Sequence, residues 1–221
     1  MSQQEHNYPA PWQLTGSGVV LVMRLSKSWK ARYGLSDYKG FIASVCLVNY
    51  QTSPVGPYYE ILFIPGTLKN PKGKHLSISN IFVDSENSMK AGQKNWGIPK
   101  KMAQFDWQDD GKTVQVAIKH EGHSCFTFKA KRLGPSIPII EAMLPITLYQ
   151  KRDNHHFWTK PKAKGQAKFA SVINLGGCDN EGGHGFPDLS SQTILATSII
   201  DGFSMRFPEA MQLQGGRVYI P

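Results

Sequence analysis

The sequence predicts a mainly β, α+β fold in a single domain, and three observations indicate it. Short runs rich in β-branched and aromatic residues recur along the chain, separated by Gly, Pro, Asn and Asp. The chain has 221 residues with 21 Gly and 14 Pro, which is typical of one turn-rich unit. Hydrophobic residues make up 40% and charged residues 19%, a composition that excludes disordered and collagen-like chains.

The first predicted elements run from residue 18 to residue 83. A branched apolar run predicts a buried strand over 18–25, and a brief helix follows over 26–33. Aromatic and β-branched residues predict strands over 41–50 and 58–64, joined by a loop with two prolines. Apolar residues alternate with serines over 75–83, which predicts one half-buried strand there.

A helix and a hairpin are predicted next. Asp84 or Ser85 is suited to cap a short helix that runs to about Lys94, and Gly97 and Pro99 stop it. Alternating strands over 102–108 and 112–120 flank an Asp-Asp-Gly sequence, which is typical of a tight hairpin turn. This part of the chain therefore contains the main helix of a strand-rich domain.

Strands dominate the rest of the chain. Further strands are predicted over 124–131, 137–149 and 168–175. The glycine-rich run over 176–185 predicts a surface loop. The apolar segment 193–203 is compatible with either a helix or a buried strand, because periodicity alone does not separate the two.

The cysteines and the chain start narrow the class of protein. Cys46, Cys125 and Cys178 lie far apart and have no metal-ligand spacing, so we expect neither a disulfide framework nor a zinc site. His155 and His156 are adjacent and would point to opposite faces of a strand, which argues against a shared metal. The N-terminal segment has no leader pattern, and no apolar run approaches about 18 residues. We expect a soluble cytoplasmic protein without a membrane segment.

The basic excess raises nucleic-acid binding as an alternative function. The formal charge is 25 − 16 = +9, and four lysines lie within 160–168, just after Phe157 and Trp158. Such lysines can follow a phosphate backbone while aromatic rings stack on bases. Their spacing matches no recognised binding motif, and a positive field also attracts small carboxylates. We expect no nucleic-acid partner.

The most informative segment is 94–103, KNWGIPKKMA, which sets Lys100 and Lys101 among apolar side chains. Burial and a neighbouring positive charge both lower the pKa of a lysine, and the neutral amine is a nucleophile that forms Schiff bases with ketones. The alternative is a pair of solvated surface lysines, because lysine is rarely buried. The neighbours that we predict to line a substrate pocket, or else to be ordinary core, are Trp96, Ile98 and Met102.

Glu60 is a second candidate, since it stands between Tyr59 and Ile61 in an apolar strand. A buried carboxylate there could orient a substrate or move protons. The alternative, a glutamate on the outward face of an edge strand, is equally compatible with the residues alone.

The segment 94–103 resembles the signature of the acetoacetate decarboxylases and their relatives, in which Pro-Lys-Lys follows a short helix. The Pro-Tyr-Tyr-Glu of 57–60 resembles the Tyr-x-Glu element of that family. Residues 157–161 resemble its Trp-Thr-Gly-Pro element, and 186–200 its closing segment. The resemblance covers most of residues 10–210.

The resemblance implies an antiparallel sheet curled into a barrel or cone around a pocket, with a short helix that delivers Lys100 to the pocket floor, and assembly into homo-oligomers. It implies that Lys100 is the Schiff-base lysine, Lys101 its cationic neighbour and Glu60 an active-site carboxylate. A small β-keto acid such as acetoacetate would condense with Lys100, lose carbon dioxide and leave as a ketone, without a cofactor.

The chain departs from the family pattern at two places. Decarboxylating members carry a second glutamate on the strand before Tyr-x-Glu, whereas residues 41–59 contain no Asp or Glu and Val45 stands nearest that position. They also carry an N-terminal arginine, and 12–18 has none. Two alternatives therefore stay open: other imine chemistry, of the aldolase or dehydratase type, and a non-catalytic binder of small molecules with the same fold.

Overall fold

A computed structural model describes residues 7–140, 146–177, 185–214 and 217–219. Within these residues the chain forms two helices, α1 (Lys27–Arg32) and α2 (Glu86–Trp96), and sixteen strands. The strands are β1 (Trp12–Arg24), β2 (Ile42–Thr52), β3 (Tyr58–Ile64), β4 (Thr67–Asn70), β5 (Gly73–Leu76), β6 (Asn80–Val83), β7 (Lys100–Met102), β8 (Gln104–Asp109), β9 (Thr113–His120), β10 (His123–Ile139), β11 (Leu148–Arg152), β12 (His155–Thr159), β13 (Lys162–Gly177), β14 (Thr193–Phe207), β15 (Met211–Gln214) and β16 (Arg217–Tyr219).

The strands form two sheets. The larger has ten strands in the order β7-β6-β3-β2-β1-β14-β13-β10-β9-β8, and the smaller has six in the order β16-β15-β12-β11-β5-β4. Neighbouring strands are antiparallel except for β6 with β7 and β5 with β11. The predicted mainly β, α+β fold with an antiparallel sheet is confirmed.

The ten-stranded sheet curls until its two ends nearly meet. Tyr59 of β3 stacks on Trp107 of the opposite edge strand, with ring centroids 5.6 Å apart. Near the same seam, the His120 ring lies 4.6 Å from the ring of Phe82. His120 Nδ1 is also 2.8 Å from the carbonyl oxygen of Met102 in β7. These contacts join strands from both ends of the sheet and make it a nearly closed barrel.

Alternation along the strands produces two apolar layers. In β2, Val45 and Leu47 face the barrel interior, and Val48 packs in the layer on the other face of the sheet. The interior is filled by side chains that include Val19, Leu21, Met23, Ile61, Phe63, Val116, Phe126, Phe128 and Phe186. The second layer lies between the barrel wall, α2 and the six-stranded sheet. The pocket described below belongs to this second layer.

Local sequence signals place α2 and the β8–β9 hairpin as predicted. The Ser85 hydroxyl accepts a hydrogen bond from the Ser88 amide at 3.2 Å, and α2 ends at Gly97 in the left-handed conformation, with φ 64°. In the hairpin turn, Asp110 Oδ1 accepts hydrogen bonds from the amides of Lys112 and Thr113 at 2.7 and 2.6 Å. Helix α1 and strand β3 also form where they are predicted.

Two predicted strands, 75–83 and 137–149, are divided in the structure, and the ambiguous segment 193–203 is resolved. The single strand expected over 75–83 is split into β5 and β6, because the chain leaves the six-stranded sheet and enters the ten-stranded sheet between them. The ambiguous segment 193–203 is a strand, β14, because β1 and β13 pair with its two edges. The strand predicted over 137–149 is interrupted, since β10 ends at Ile139 and β11 begins at Leu148.

Parts of two predictions lie outside the described residues. These are 141–145 in the predicted 137–149 strand and 178–184 in the predicted glycine-rich loop. No helix in the described part of the chain is long and apolar enough to cross a membrane.

Candidate active site

The end of α2 and strand β7 together position Lys100. Gly97 turns the chain at the end of the helix, and Lys100 begins β7 beside Ile81 of β6. The side-chain amide of Gln93 donates a hydrogen bond to the carbonyl oxygen of Lys100 at 2.8 Å, which ties the helix to the strand. The lysine side chain is only 5% exposed. Lys100 is therefore a buried lysine among apolar side chains and not a solvated surface lysine.

Glu60 faces Lys100 from strand β3. Glu60 Oε2 lies 2.7 Å from Lys100 Nζ, and the two side chains are 4% and 5% exposed. Lys100 Nζ also donates a hydrogen bond of 2.9 Å to the hydroxyl of Ser88, a buried residue of α2. Three elements that are distant in sequence thus bring an amine, a carboxylate and a hydroxyl together.

Two tyrosines complete the polar part of the site. The Tyr50 hydroxyl donates to Glu60 Oε1 at 3.2 Å, and the Lys100 ammonium lies 5.3 Å from the centroid of the Tyr58 ring. Burial, followed by the charge of Glu60, raises the pKa of both tyrosines well above the ordinary value. Their hydroxyls therefore stay protonated and remain available as hydrogen-bond donors.

A cavity of about 210 Å³ adjoins these groups. It lies between the outer face of the barrel and residues at the start of β11 and β13, such as Leu148 and Ala163. Most of its lining is aliphatic or aromatic, and the lining includes Trp12, Leu14, Val48, Leu62, Ile64, Ile78, Ile81, Met205 and Phe207. Trp96 and Ile98 line it as well, which agrees with the pocket predicted around the lysines.

The structure separates Lys101 and Met102 from this pocket. Lys101 is exposed, because neighbouring residues of a strand point to opposite faces and Lys100 takes the inward position. Met102 lies two residues after Lys100, about 7 Å further along the edge strand, and is 37% exposed. Both residues border a larger open depression beside His120, which Lys100 borders as well. The structure thus places Lys101 and Met102 outside the lining of the 210 Å³ cavity but next to Lys100.

Of the neighbours Val45 and Cys46 on β2, Cys46 faces the pocket and Val45 does not. Val45 points into the barrel interior, because the side-chain period of two puts positions 45 and 46 on opposite faces. Burial, and next the charge of Glu60, raises the pKa of the Cys46 thiol to about 12. The strand before Glu60 thus presents a neutral thiol to the cavity.

Ser88, Tyr50 and Cys46 are site residues that sequence reasoning missed. One signal for Ser88 was available, since Ser88 and Gly92 are four residues apart and share a face of α2. Two small residues on one helix face leave space for a long side chain from a neighbouring element. Tyr50 and Cys46 carried no such signal, because their position depends on the pairing of β2 with β3.

The arrangement can produce a neutral amine. A proton that moves from Lys100 Nζ to Glu60 Oε2 across 2.7 Å converts the ion pair into an amine and a carboxylic acid. Among the described residues, no group of three or more His, Cys, Asp or Glu is arranged to hold a metal ion.

Comparisons with known proteins include a plant relative. The Arabidopsis thaliana protein NEOXANTHIN-DEFICIENT 1 is 26% identical over 125 residues, which are 53% of this chain and 42% of that protein. The chain thus spans about two fifths of the length of this curated relative.

Solved structures show the same fold. The acetoacetate decarboxylase of Legionella pneumophila superposes with a TM-score of 0.76 at 11% identity and covers 100% of this chain and 93% of its own. The enduracididine biosynthesis enzyme MppR, with HEPES buffer bound, has a TM-score of 0.70 at 13% identity and covers 94% and 89%. An acetoacetate decarboxylase-like enzyme from Sphingomonas wittichii RW1 has a TM-score of 0.66 at 14% identity and covers 94% of both chains.

A family model, acetoacetate decarboxylase, matches residues 40–180, which is more than half of the chain and includes Glu60, Ser88 and Lys100. This match confirms the resemblance seen around the lysine pair. The chain belongs to the acetoacetate decarboxylase family.

Proposed function

We propose that the protein is an enzyme that forms a Schiff base between Lys100 and a small carbonyl compound. The observation that carries this proposal is the buried Lys100 Nζ, 2.7 Å from Glu60 Oε2 at the wall of an otherwise apolar cavity. A lysine amine excluded from water is activated as a nucleophile, and acetoacetate decarboxylase is an example of a lysine activated by its surroundings. Glu60 adds a proton acceptor beside the amine in this protein.

The residues supply each step of imine formation. Glu60 takes a proton from Lys100, and the free amine attacks the carbonyl carbon, so that a C–N bond forms as the C=O π bond opens. Glu60 then returns its proton to the oxygen, which gives a neutral hydroxyl on the carbinolamine. Glu60 next takes a second proton from the nitrogen and passes it to that hydroxyl, which leaves as water as the nitrogen lone pair forms the C=N bond of the iminium. The Ser88 hydroxyl, 2.9 Å from Nζ, holds the amine in place.

Two reaction classes can follow the iminium. Loss of carbon dioxide from a small β-keto acid is supported by the family and by the fold shared with acetoacetate decarboxylase. Imine chemistry of another kind is supported by the likeness to MppR, which has been solved with the condensation product of pyruvate and imidazole 4-carboxaldehyde. A non-catalytic binder is the remaining alternative.

Reductive trapping tests the proposal. The protein is mixed with small ketones and keto acids, treated with borohydride and digested, and the adduct is located by peptide mass spectrometry. We expect one adduct, on Lys100, that is absent in Lys100→Met. Lys101→Met is the matched control, because Lys101 is exposed on the opposite face of β7, and it should be labelled like the wild type. If neither the wild type nor Lys101→Met is labelled, the Schiff base is ruled out and the non-catalytic binder is the alternative that remains.

We also propose that copies of the chain associate. Leu133 and Phe169 are directly paired on β10 and β13 and are 44% and 59% exposed, and Ile173 on β13 is 58% exposed. Large apolar side chains that are exposed close together often mark a protein interface. Light scattering of the wild type and of Phe169→Lys should show a larger particle for the wild type; equal masses would remove this support.

A further inference from the structure

The charges that line the pocket cancel each other. Among the described lining residues, Glu60 and Lys100 carry the only charges, and they form one ion pair. The other polar lining groups are the hydroxyls of Tyr50 and Tyr58 and the thiol of Cys46, which the raised pKa values keep neutral. The remaining lining residues are apolar.

Among the described residues, no second cation lines this cavity; Lys101 and Lys119 border the open depression that Lys100 also borders. Lys101 lies on the opposite face of β7. The residues outside the described ranges contain neither Lys nor Arg. An anionic group that entered the cavity would therefore have Lys100 as its only cationic partner among these residues, and Lys100 is already paired with Glu60.

Charge balance during imine formation separates two substrate classes. The net charge of Lys100 and Glu60 is zero in three states. These are the ammonium with the carboxylate, the neutral amine with the carboxylic acid, and the iminium with the carboxylate. With an uncharged carbonyl compound the buried site stays neutral at every stage. With a keto acid it holds one uncompensated negative charge throughout, next to Glu60 and in an apolar lining, where an unpaired charge is disfavoured.

We infer that the pocket selects uncharged, largely apolar ketones or aldehydes over keto acids of the same size, an inference that rests on the proposed Schiff base at Lys100. A volume of about 210 Å³ equals the share of roughly seven molecules of liquid water, at about 30 Å³ each, so the cavity accommodates a small molecule. The substrate class is therefore a short-chain carbonyl compound whose tail packs against the aliphatic and aromatic wall.

This selection changes the bond that the iminium activates. A substrate without a carboxylate cannot lose carbon dioxide, so the activated bond is a C–H bond next to the carbonyl carbon, or a C–C bond to a carbinol. In the C–H case Glu60 takes the proton, the C–H electrons form a C=C bond, and the C=N π electrons return to nitrogen. The product is a neutral enamine beside a neutral acid, which is the reactive species of aldol-type chemistry.

Two isosteric probes test the inference with the wild-type protein. Acetoacetate and 4-methyl-2-pentanone each have about seven non-hydrogen atoms. Acetoacetate carries a carboxylate where 4-methyl-2-pentanone carries an isopropyl group, so the two probes are matched in volume but not in charge. The measured quantity is the probe concentration that gives half-maximal borohydride-dependent labelling of Lys100. For acetoacetate, adducts with and without the carboxylate are summed.

We expect half-maximal labelling by 4-methyl-2-pentanone at a concentration at least about tenfold below that of acetoacetate, because the carboxylate must be buried unpaired. Equal or stronger labelling by acetoacetate would overturn the inference and leave the Schiff base standing. Labelling of Lys100 by neither probe would remove the Schiff base, and the substrate class would fall with it.

Discussion

Gly92 of α2 lies directly against the side chain of Lys100. A Cβ built at Gly92 would stand 2.7 Å from Cδ and 2.8 Å from Cε of the lysine, closer than real Cβ contacts allow. The glycine occupies a helical position, so its conformational freedom is not what the site uses. What the site uses is the missing methyl group, which lets the lysine stem run along the helix to Glu60.

This contact predicts that Gly92→Ala displaces the amine. Alanine favours the helix by about 1 kcal/mol over glycine, while overpacking costs about 1–3 kcal/mol, so we expect a folded protein. We expect borohydride labelling of Lys100 to slow at least about tenfold, since a displacement of about 1 Å is costly to a reacting group. Gly202→Ala is the control, because its new Cβ meets nothing within 4 Å. Equal labelling of both variants would show that the amine tolerates the shift.

Removal of the proton acceptor has a second expected effect. Glu60→Gln should lower the rate of imine formation by about 10²–10⁴, the usual contribution of a positioned acid–base group. The variant also leaves the buried Lys100 unpaired and should lose about 3–5 kcal/mol of stability in denaturant unfolding. Replacement of both partners, Glu60→Gln with Lys100→Met, should recover much of that loss.

The matched control for Glu60 is Glu86→Gln. Glu86 forms an ion pair with Lys90 of the same helix, and both side chains are about two-thirds exposed, at 65% and 66%. An exposed pair contributes little, so neither labelling nor stability should change measurably. A Glu60→Gln variant that behaves like this control would contradict a role for Glu60 in the site.

The raised pKa of Cys46, about 12, predicts a thiol that is slow to alkylate in the folded protein. Only the thiolate reacts with iodoacetamide. Because the pKa is raised, the thiolate fraction stays small even at pH values above the ordinary cysteine pKa of about 8.5. Iodoacetamide at pH 8–9 should leave Cys46 unmodified in the native protein and modify it in guanidinium, as peptide mass spectrometry can show. Rapid native labelling would contradict the burial. Since the folded pKa lies above the unfolded value, any stability contribution of this group is lost as pH rises from about 9 towards 12.

The β8–β9 turn has an acid-sensitive carboxylate. Hydrogen bonds from the Thr113 and Lys112 amides lower the pKa of Asp110 to about 2. Because the folded pKa is below the ordinary 3.8, the stabilising contribution is present above about pH 4 and is lost as pH falls towards 2.

Thermal unfolding from pH 6 to pH 2 tests this assignment. Asp110→Ala should lower Tm at pH 6, and the difference from the wild type should shrink towards pH 2. Glu209→Gln, at an exposed carboxylate outside the strands, is the control and should follow the wild-type curve. A difference that is constant with pH would mean that the charge of Asp110 does not stabilise the turn.

Local signals predicted much of the fold. The Ser85 cap, the Gly97 end of α2 and the Asp-Asp-Gly turn each work within a few residues, so the printed sequence was sufficient for them. The prediction of a single strand over 75–83 failed. The alternation of its residues is compatible with one strand, but the passage of the chain from one sheet to the other depends on pairing partners far along the chain. The segment 193–203 became a strand for the same reason.

The amino-acid sequence by itself determined that a lysine pair follows a short helix in an apolar segment, and that a glutamate stands in an apolar strand 40 residues earlier. Only the tertiary structure decided that Lys100 and not Lys101 faces the cavity, and that Ser88 and Glu60 both reach its nitrogen. The physical reason is that the register of the edge strand β7 with β6 sets the direction of its side chains. The pairing of β6 with β3 then sets the distance between Lys100 and Glu60. Those pairings are long-range contacts that no local pattern specifies.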